Sequence, residues 1–400
     1  METVSQNLLK IGFHYHIPIF EDENGKFFTP SYFGVFLDSL AANCSKLYLF
    51  LYLARPEEIK QCNYQLKNDN VIWVNLGSHN SVPKRLLRIS GTSKIVKSKI
   101  NDLDAFIIRT PTPLILFAKN LISFNKLFLY VVGDYDVGDT LKVSHFKKPF
   151  ILFLFKLMER KELKLGKHAT IITNSQKLLQ KFRGKCRDIH LIKSTSVSEK
   201  DLYLDQNKCI SKNEINILYS GRLDPIKNLP IVIKVVKSLI TEHNLKCNFH
   251  LVYIEDEFSV NYIKSLRRLA DDLQISAHLI DHGQKMVGEE LNQLYRNSDI
   301  LIIPSLSEGF PRAIWDAMAN STAVIATNVG SIPHFLSHGK DALIINPNSE
   351  KEIVDSILEL KNNQDLYRSL IVNAYALAKE NTLEKQGRLM IETISANLNE

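Results

Sequence analysis

Short apolar runs recur along this chain of 400 residues, and stretches with helical periodicity separate them. A short apolar run bounded by turn residues is typical of a strand that is buried on both faces. Strands that alternate with helices predict βαβ units and parallel sheets. The predicted strands form two sets, 8–13, 47–53, 71–74, 105–108, 127–132, 170–173 and 190–192, followed by 215–219, 249–254, 277–280, 299–303, 323–326 and 342–345.

This number of strands exceeds what one open sheet comfortably holds. We therefore predict an α/β protein with two doubly wound, Rossmann-like domains that face a central ligand-binding cleft. The polar stretch 205–214 interrupts the apolar periodicity and marks the predicted boundary. The N-terminal domain is then 1–207 and the C-terminal domain 215–374. Residues 375–400 are predicted to form an amphipathic helical tail, whose return to the N-terminal domain stays open; its apolar positions include Leu389, Met390 and Ile394.

Composition is that of an ordinary globular protein, with 45% hydrophobic and 23% charged residues. The five cysteines are scattered and show no CxxC spacing, which argues against a disulfide framework or a zinc site and for a reducing compartment. The N-terminal residues do not have the pattern of a signal peptide, and no apolar run approaches the roughly 20 residues that a spanning helix requires. The sequence therefore predicts a cytoplasmic protein, either free or peripheral on the inner face of the membrane.

Positive charge is concentrated in the N-terminal half. Residues 142–193 contain fourteen Lys and Arg against three acids, and residues 84–99 contain six Lys and Arg without any acid. Such an excess suits nucleic acid, an anionic membrane or phosphorylated substrates. No DNA- or RNA-binding module is recognisable, so we predict no nucleic-acid partner. For the aromatic and basic stretch 145–161, a core element flanked by solvated lysines and a peripheral membrane face both stay open.

Two acids stand out in the C-terminal domain. The predicted strand 299–303 leads into a Gly/Pro turn and then a predicted helix over 312–319, with Pro311 suited to its first position. A strand, a turn and an open helix N-terminus form an anion and ligand site at the carboxyl edge of a parallel sheet. Glu308 is predicted at the mouth of this site. Asp316 lies about two turns along the helix, where it could reach another part of the same ligand.

A second loop of the same sheet carries two cations. The predicted strand 215–219 ends in a glycine turn, and Arg222 and Lys227 follow it before an apolar helix. Arg offers a planar fork of donors and Lys a compact charge, and both suit a diphosphate. The alternative is that both are ordinary surface residues near a helix start, which the Glu308 element in the same sheet disfavours.

Three segments in this order, GRLDPIKN, PSLSEGFPRAIWDAMA and VIATNVGSIPHFL, resemble the family 4 retaining glycosyltransferases, which have the GT-B fold. The resemblance covers about residues 215–348 and is weaker over the N-terminal domain. It implies a retaining hexosyltransferase that moves a sugar from a nucleotide-diphosphate donor to a glycan or lipid-linked acceptor, in cell-surface polysaccharide or lipopolysaccharide biosynthesis. It also implies that neither a cofactor nor a metal ion is required.

The resemblance also assigns roles to residues. Arg222 and Lys227, after Gly221, would bind the two phosphates and act in catalysis together with Glu308, which would contact hydroxyls of the donor sugar. Asp316 would take the ribose hydroxyls. Backbone groups beside the sugar and phosphates would come from Gly309, Phe310 and Pro311.

Four departures from the family pattern affect these roles. Asp316 is one methylene shorter than the family's glutamate, so we expect a looser or water-mediated ribose contact. The usual glycine-rich turn after the second strand is replaced by 253–257, which leaves the base contacts there open. Gly330 and Ser331 stand where paired glycines are expected. The histidine that many relatives carry after a first-domain strand has no match in 131–136.

The candidate residues on the acceptor side belong to the N-terminal domain and are His16, Arg109 and Asp134. His16 precedes a predicted long loop, 18–31, whereas His14 alternates with apolar positions as a core histidine does. Arg109 would hold an anionic acceptor or only cap a strand end, and Asp134 would face the cleft or only bond locally in a turn. Asp134 and Asp136 also spell a DxD metal motif, which we interpret as coincidence because it belongs to the wrong domain for the donor diphosphate.

Two other functions stay open. A nucleotide-sugar epimerase of the same architecture would need no acceptor. A non-catalytic nucleotide-sugar binder would fit the shortened Asp316 and the missing glycine turn. The Gly-Arg…Lys segment, combined with Glu308 and an acid eight positions later, favours transfer over both.

Overall fold

A computed structural model describes residues 8–133, 135, 148–211, 213–255 and 259–398 of the chain. The chain divides into two compact units. Unit 1 comprises Met1–Ser194 and Glu384–Glu400, and unit 2 comprises Thr195–Leu383. Each unit contains one mainly parallel β-sheet with helices packed on it, which confirms the predicted α/β class.

The elements are numbered along the described chain. The strands are β1 (Lys10–Glu21), β2 (Phe27–Thr29), β3 (Lys46–Leu53), β4 (Tyr64–Gln65), β5 (Val71–Ser78), β6 (Ala105–Thr110), β7 (Leu127–Val131), β8 (Thr170–Thr173), β9 (Asp188–Leu191), β10 (Glu214–Arg222), β11 (Lys246–Ile254), β12 (Leu279–Asp281), β13 (Ile300–Ile303), β14 (Ala323–Thr327) and β15 (Leu343–Ile345). The α-helices are α1 (Ser31–Ala41), α2 (Val82–Leu87), α3 (Ile89–Lys99), α4 (Lys148–Gly166), α5 (Gln176–Phe182), α6 (Leu229–Thr241), α7 (Ser259–Asp272), α8 (Glu289–Arg296), α9 (Arg312–Ala319), α10 (Ile332–Phe335), α11 (Glu350–Asn362), α12 (Gln364–Lys379) and α13 (Leu383–Leu398). Every predicted strand corresponds to one of these, whereas β2 and β4 were not predicted.

The parallel strands of unit 1 lie in the spatial order β5, β3, β1, β6, β7, β8, β9, and β2 and β4 add an antiparallel edge beside β1. The prediction of a long loop over 18–31 is therefore wrong. Strand β1 continues to Glu21, and the chain turns back as β2. Phe20 and Phe28 face each other across this hairpin with ring centroids 5.2 Å apart, so a cross-strand aromatic pair stabilises a segment too short to show strand periodicity.

Helix α13 completes unit 1 from the far end of the chain. Met390 and Ile394 are fully buried in its apolar core, whereas Leu389, which was predicted on the same apolar side, is 41% exposed. The helix lies so close to α1 that a Cβ at Gly387 would come within 2.1 Å of Ser39 Oγ. A glycine at this position lets the two helices pack in direct contact.

Helix α4 has one apolar side on the core and another in solvent. Met158 is buried, but Phe150, Phe153 and Leu157 are 58%, 62% and 42% exposed. The remaining aromatic and basic residues of this stretch, 145–147, lie outside the described residues. Within the described part of the chain, no helix is both long enough and apolar enough to cross a membrane.

The sheet of unit 2 is parallel throughout, with the strand order β12, β11, β10, β13, β14, β15. Successive side chains of β10 enter opposite layers: Ile217 and Tyr219 join the core under α6 and α7, and Leu218 joins the core under α8 and α9. This alternation of two apolar faces is why the strand appears in the sequence as a continuous apolar run.

The polar stretch 205–214, predicted as the boundary, lies inside unit 2. Its residues are polar but bonded: the backbone N–H of Asp205 donates to Ser321 Oγ at 2.7 Å, and Lys208 Nζ donates to the carbonyl of Ser298 at 2.6 Å. Ile210 is buried in the core of unit 2. These contacts attach the segment to unit 2, and the division falls earlier, after Ser194.

Candidate functional site

The candidate site of unit 2 lies at the carboxyl ends of two neighbouring strands, β10 and β13. The two strands pair directly, with Ile217 opposite Ile300. The loops that follow them therefore emerge side by side, and the N–H of Leu306 donates to the carbonyl of Ile226 at 2.8 Å. The carboxyl edge of an open α/β sheet is where such folds bind ligands.

The loop after β10 forms one short 3₁₀ turn, Pro225–Lys227. Asp224 caps it, because its Oδ1 accepts from the N–H of Ile226 at 3.0 Å, and Pro225 supplies the fixed φ of the first position. Asn228 ends the turn in the left-handed conformation, with φ of 54°, which Asn tolerates better than most residues. The turn fixes the backbone from which Lys227 projects.

Lys227 and Glu308 form an ion pair across the two loops. Lys227 Nζ lies 2.5 Å from Glu308 Oε1, and each side chain is only 11% exposed. Ser305 Oγ donates to the same oxygen at 2.7 Å, and Thr327 Oγ1 in turn donates to the carbonyl of Ser305 at 2.7 Å. The carboxylate is thus held by two donors of the protein itself. Both ions were predicted in the site, but neither their pairing nor the support from Ser305 and Thr327 was.

Gly330 determines how closely the next loop approaches Glu308. Its φ is 59°, and a Cβ on it would lie 1.9 Å from the carbonyl oxygen of Glu308. The following N–H, of Ser331, donates to the carbonyl of Gly309 at 2.7 Å. Any side chain at 330 would displace the Glu308 backbone, so the single glycine of this turn has a steric role that the sequence pattern did not reveal.

Arg222 is the last residue of β10 and its side chain is exposed, whereas its backbone carbonyl is held by Tyr219. Tyr219 Oη donates to the carbonyl of Arg222 at 2.7 Å, and a Cβ at Gly221 would crowd the same Tyr219 oxygen at 2.9 Å. Burial raises the pKa of Tyr219 well above its ordinary value, the carboxylate of Glu308 raises it further, and Arg222 opposes this. Tyr219 therefore stays a protonated donor beside both charged residues.

Asp316 lies on α9 and is half-buried. Ser196 Oγ donates to its Oδ1 at 2.8 Å. Burial raises the pKa of Asp316 to about 6, although the Ser196 hydrogen bond and the positive charge of Arg312 both lower it. This carboxyl group therefore changes protonation close to neutral pH. Ser196 was not predicted, because nothing in a lone serine far along the sequence indicates its partner.

Phe310 has a packing role in the loop before α9. Its ring lies 4.7 Å from that of Trp315 and 5.1 Å from that of Phe335, both centroid to centroid, and is perpendicular to the latter. Gly309 is exposed, and a Cβ on it would meet no atom within 4 Å. Helix α9 covers the predicted residues, but Pro311 precedes its first residue rather than occupying it. The backbone roles of residues 309–311 toward a ligand stay predictions.

The acceptor-side candidates belong to unit 1. His16 lies within a break in the register between β1 and β3, and its Nδ1 is buried without a hydrogen-bond partner among the described residues. Burial lowers the pKa of His16 well below its ordinary value, and the charge of Arg85 adds to this. His14 is fully buried and bonded at both ring nitrogens, to the carbonyl of Phe50 at 2.9 Å and to Thr112 Oγ1 at 3.0 Å, so the interpretation as a core histidine holds.

Arg109 lies among aromatic rings. Its guanidinium carbon is 4.4 Å from the centroid of Tyr15 and 5.1 Å from that of Phe33, within the range of cation–π attraction. The ring of Tyr130 is a third neighbour, with its centroid 5.5 Å from the same carbon. A role of Arg109 toward an anionic acceptor stays a prediction. Asp134 and Asp136 lie outside the described residues.

Residues 204–377, which include the whole of this site apart from Ser196, match the family model described as Glycosyl transferases group 1. Unit 2 is therefore similar to the group 1 glycosyl transferases over most of its length. The chain is 29% identical over 187 residues to an uncharacterized glycosyltransferase of Methanocaldococcus jannaschii, covering 46% of this chain and 50% of the relative. It is 21% identical over 177 residues to the D-inositol 3-phosphate glycosyltransferase of Paenarthrobacter aurescens, covering 43% of each. The matches thus span about half the length of these curated relatives, or less.

Solved structures extend the likeness in fold to both units. HepE of Anabaena, determined in complex with UDP, aligns over 97% of this chain and 100% of its own, with a TM-score of 0.67 and 16% sequence identity. At this identity the likeness establishes the fold, which is GT-B as predicted.

Proposed function

We propose that the protein is a retaining glycosyltransferase that moves a sugar from a nucleotide-diphosphate donor to a glycan or lipid-linked acceptor. The observation that carries this proposal is the buried pair of Lys227 and Glu308 at the carboxyl edge of the unit 2 sheet, within the segment that matches the group 1 family. A cation for the leaving diphosphate and an acid for the sugar hydroxyls then lie next to each other, as transfer requires.

The donor is proposed to be a nucleotide-sugar bound by unit 2. HepE of Anabaena was solved with UDP and with UDP-glucose, which supports a uridine nucleotide as the first donor to test. Arg222 is exposed at the end of β10 and can offer its fork of donors to one phosphate. Lys227 has three N–H donors and uses one of them to bond Glu308. It can therefore bind a phosphate oxygen while the bond to the carboxylate is kept.

In the proposed chemical step the protein forms no covalent bond to the sugar and acts by stabilising charge and holding the substrates. As the sugar–phosphate bond breaks, negative charge grows on the diphosphate, and Arg222, Lys227 and the amides of the first turn of α9 are proposed to stabilise it. Glu308 is proposed to hold the donor sugar through Oε2, since Lys227 and Ser305 both bond to Oε1. The acceptor hydroxyl then attacks from the same face, and its proton passes to the leaving phosphate. These charges would serve in place of a metal ion.

Asp316 is proposed to contact the ribose, most effectively when it is ionised. Its contact with Ser196 uses only Oδ1, which leaves Oδ2 for a ribose hydroxyl directly or through water.

The setting we propose is cell-surface polysaccharide or lipopolysaccharide assembly, with unit 1 resting on an anionic membrane. Phe150, Phe153 and Leu157 are exposed at helical spacing on α4, and the same helix exposes Lys156 and Arg160. Aromatic residues beside basic ones suit insertion among anionic headgroups.

Incubation with labelled nucleotide-sugars, with and without glycan acceptors, tests the proposal against its two alternatives. Transfer of label to an acceptor supports the glycosyltransferase. Conversion of the donor sugar without an acceptor supports an epimerase. Binding without turnover, detected as a thermal shift by the same donors, supports a non-catalytic binder.

A further inference from the structure

Arg85 of unit 1 is a buried cation without a counter-ion among the described residues. Its residue exposure is 7%, and neither Nε nor Nη1 has a hydrogen-bond partner in the described part of the chain. Burial lowers the pKa of Arg85, and the groups that oppose this shift are the phenols of Tyr52 and Tyr15 rather than a carboxylate. The guanidinium carbon lies 5.8 Å from the centroid of the Tyr52 ring.

Such an arrangement is costly unless something pairs with the charge. Buried guanidinium groups normally meet a carboxylate, a phosphate or several carbonyl oxygens, since desolvation of an unpaired ion is strongly unfavourable. A donor that is buried and unpaired in the free protein is therefore a sign of a missing partner.

A cavity lies directly beside Arg85. It has a volume of about 290 Å³ and is bounded by the carboxyl ends of β3 and β5 on one side and by α2 and α3 on the other. None of the residues that line it is acidic. Arg88 adds a second positive charge, and Ser78, Asn80 and Thr92 add short polar groups. The carboxyl edge of a parallel sheet is again the position of a ligand site, here in the other unit.

Two glycines keep this cavity open. Gly77, the last residue but one of β5, has a φ of 91°, a conformation that residues with side chains rarely adopt. Gly91 lies inside α3, where glycine disfavours the helix, yet a Cβ on it would meet no atom within 4 Å. Packing therefore gives no reason for glycine at 91, whereas space for a ligand does.

We propose that this cavity binds an oxyanion, a phosphate or carboxylate group carried by a small polar molecule, with Arg85 as its buried anchor and Arg88 beside it. The planar fork of Arg85 can bond two oxygens of such a group at once, and the volume fits a single sugar-sized moiety. Resting on the proposed function, the ligand would be the charged part of an acidic or phosphorylated acceptor. The binding itself does not depend on that function.

Calorimetric titration tests the site without requiring turnover. The probes are inorganic phosphate, glucose 6-phosphate and glucuronate, with glucose as the neutral comparison, all at constant ionic strength. UDP is present throughout at a saturating concentration, so that phosphate sites in unit 2 are occupied. We expect the charged probes to bind and glucose not to bind. The stronger of the phosphate and carboxylate arms identifies the group that the site prefers.

Arg85→Met keeps the volume and removes the charge, so we expect it to weaken the charged probe by about thirtyfold or more. Lys84→Met removes a charge from the same helix at an exposed position outside the cavity lining and should leave affinity unchanged. Gly91→Leu keeps every charge but fills the cavity, and it should also abolish binding.

A further readout shows whether the Arg85 variant is folded. Replacing an unpaired buried charge by an apolar side chain should raise, not lower, the melting temperature of the free protein. Unchanged probe affinity in folded Arg85→Met, equal loss in Lys84→Met, or no binding of any charged probe by the wild type would overturn the proposal. Loss of UDP affinity in Arg85→Met would do so as well, because it would mean that the substitution acts on unit 2 through general damage.

Discussion

Glu308 Oε1 accepts a hydrogen bond from Lys227 Nζ at 2.5 Å, although the two residues are 81 positions apart in the chain. Both side chains are mostly buried, and an unpaired charge on either one would be costly. Each ion therefore compensates the burial of the other. The same contact therefore serves the stability of unit 2 and the geometry of the site, and these two contributions can be measured separately.

Glu308→Gln should reduce turnover by about a hundredfold or more while changing donor affinity less than about fivefold, because a contact that strengthens in the transition state is lost. Steady-state kinetics combined with calorimetry of the unhydrolysed donor measure the two effects. Glu359→Gln, an exposed acid on α11, is the matched control. Near-normal turnover in Glu308→Gln would remove this residue from its assigned role.

The stability of the ion pair can be measured by a double-mutant cycle. We expect Lys227→Met and Glu308→Gln each to lower the free energy of unfolding by about 2 to 4 kcal/mol, because each leaves a buried partner unpaired. The double variant should lose at least about 1 kcal/mol less than the sum. The two tryptophans are Trp73 in unit 1 and Trp315 in unit 2, so a Trp73→Phe background makes fluorescence report on unit 2 alone. Additive losses would mean that the pair contributes nothing as a pair.

Arg222→Ala should weaken binding of the free nucleoside diphosphate by about tenfold, because an exposed arginine that bonds a phosphate contributes a charge-assisted hydrogen bond. Isothermal calorimetry at two salt concentrations measures this, and the difference should shrink at high salt. Arg268→Ala, an exposed arginine on α7, controls for net charge. Equal affinity in wild type and Arg222→Ala would place Arg222 outside the phosphate site.

Asp316 should make the stability of unit 2 depend on pH, and the direction follows from its pKa. Its pKa in the folded state is about 6, above the ordinary value near 4 in an unfolded chain. The folded state therefore binds the proton more strongly, and stability falls as the pH rises from about 4 to about 6. Asp316→Asn should then be more stable than wild type at pH 7 by about 2 to 3 kcal/mol, and the difference should vanish below about pH 4.

Urea unfolding across this pH range, with exposed Asp272→Asn as the control, measures the effect. In the same series, nucleotide-sugar affinity of the wild type should fall below pH 6, whereas that of Asp316→Asn should be lower at pH 7 and insensitive to pH. A pH-independent difference in stability would mean that this carboxyl group does not titrate in that range.

The exposed side of α4 should determine membrane binding. Phe150→Ser combined with Phe153→Ser should reduce partitioning onto vesicles that contain about 30% anionic lipid by about tenfold or more, because two aromatic side chains lose their apolar contact. Val372→Ser, at a 40% exposed apolar position of unit 2, is the control. Sedimentation with vesicles measures it. Equal partitioning of both variants would show that α4 is not the contacting face.

Sequence reasoning predicted what local pattern encodes. Strands such as β8 and β13 are apolar on both faces and short, so they appear as runs, and all of the parallel strands were predicted. Strands β2 and β4 were not predicted, because they form by pairing with β1 and with each other, and the local sequence pattern does not indicate these partners. The pairing of Lys227 with Glu308 was missed for a related reason: it follows from β10 lying beside β13, and strand order is a property of the whole sheet.

The domain boundary was misplaced because polarity was taken as a sign of a linker. Lys208 is polar, yet its ammonium donates to the backbone carbonyls of Arg296 and Ser298. A lysine in a linker would instead be solvated by water. Gly330 was noted only as a departure from a motif, since the carbonyl that it makes room for belongs to a loop 22 residues away in the sequence, at Glu308.

The closure of unit 1 by α13 has a consequence for biosynthesis. Unit 2 is continuous in the chain, so a ribosome delivers all of it before α13 emerges. Unit 1 begins earlier, but the buried positions of Met390 and Ile394 stay empty until all of unit 2 has been made. We therefore expect unit 1, whose synthesis starts before that of unit 2, to reach its final stability only after unit 2 has been made. Shortening the chain before Met390 should damage unit 1 and leave unit 2 folded.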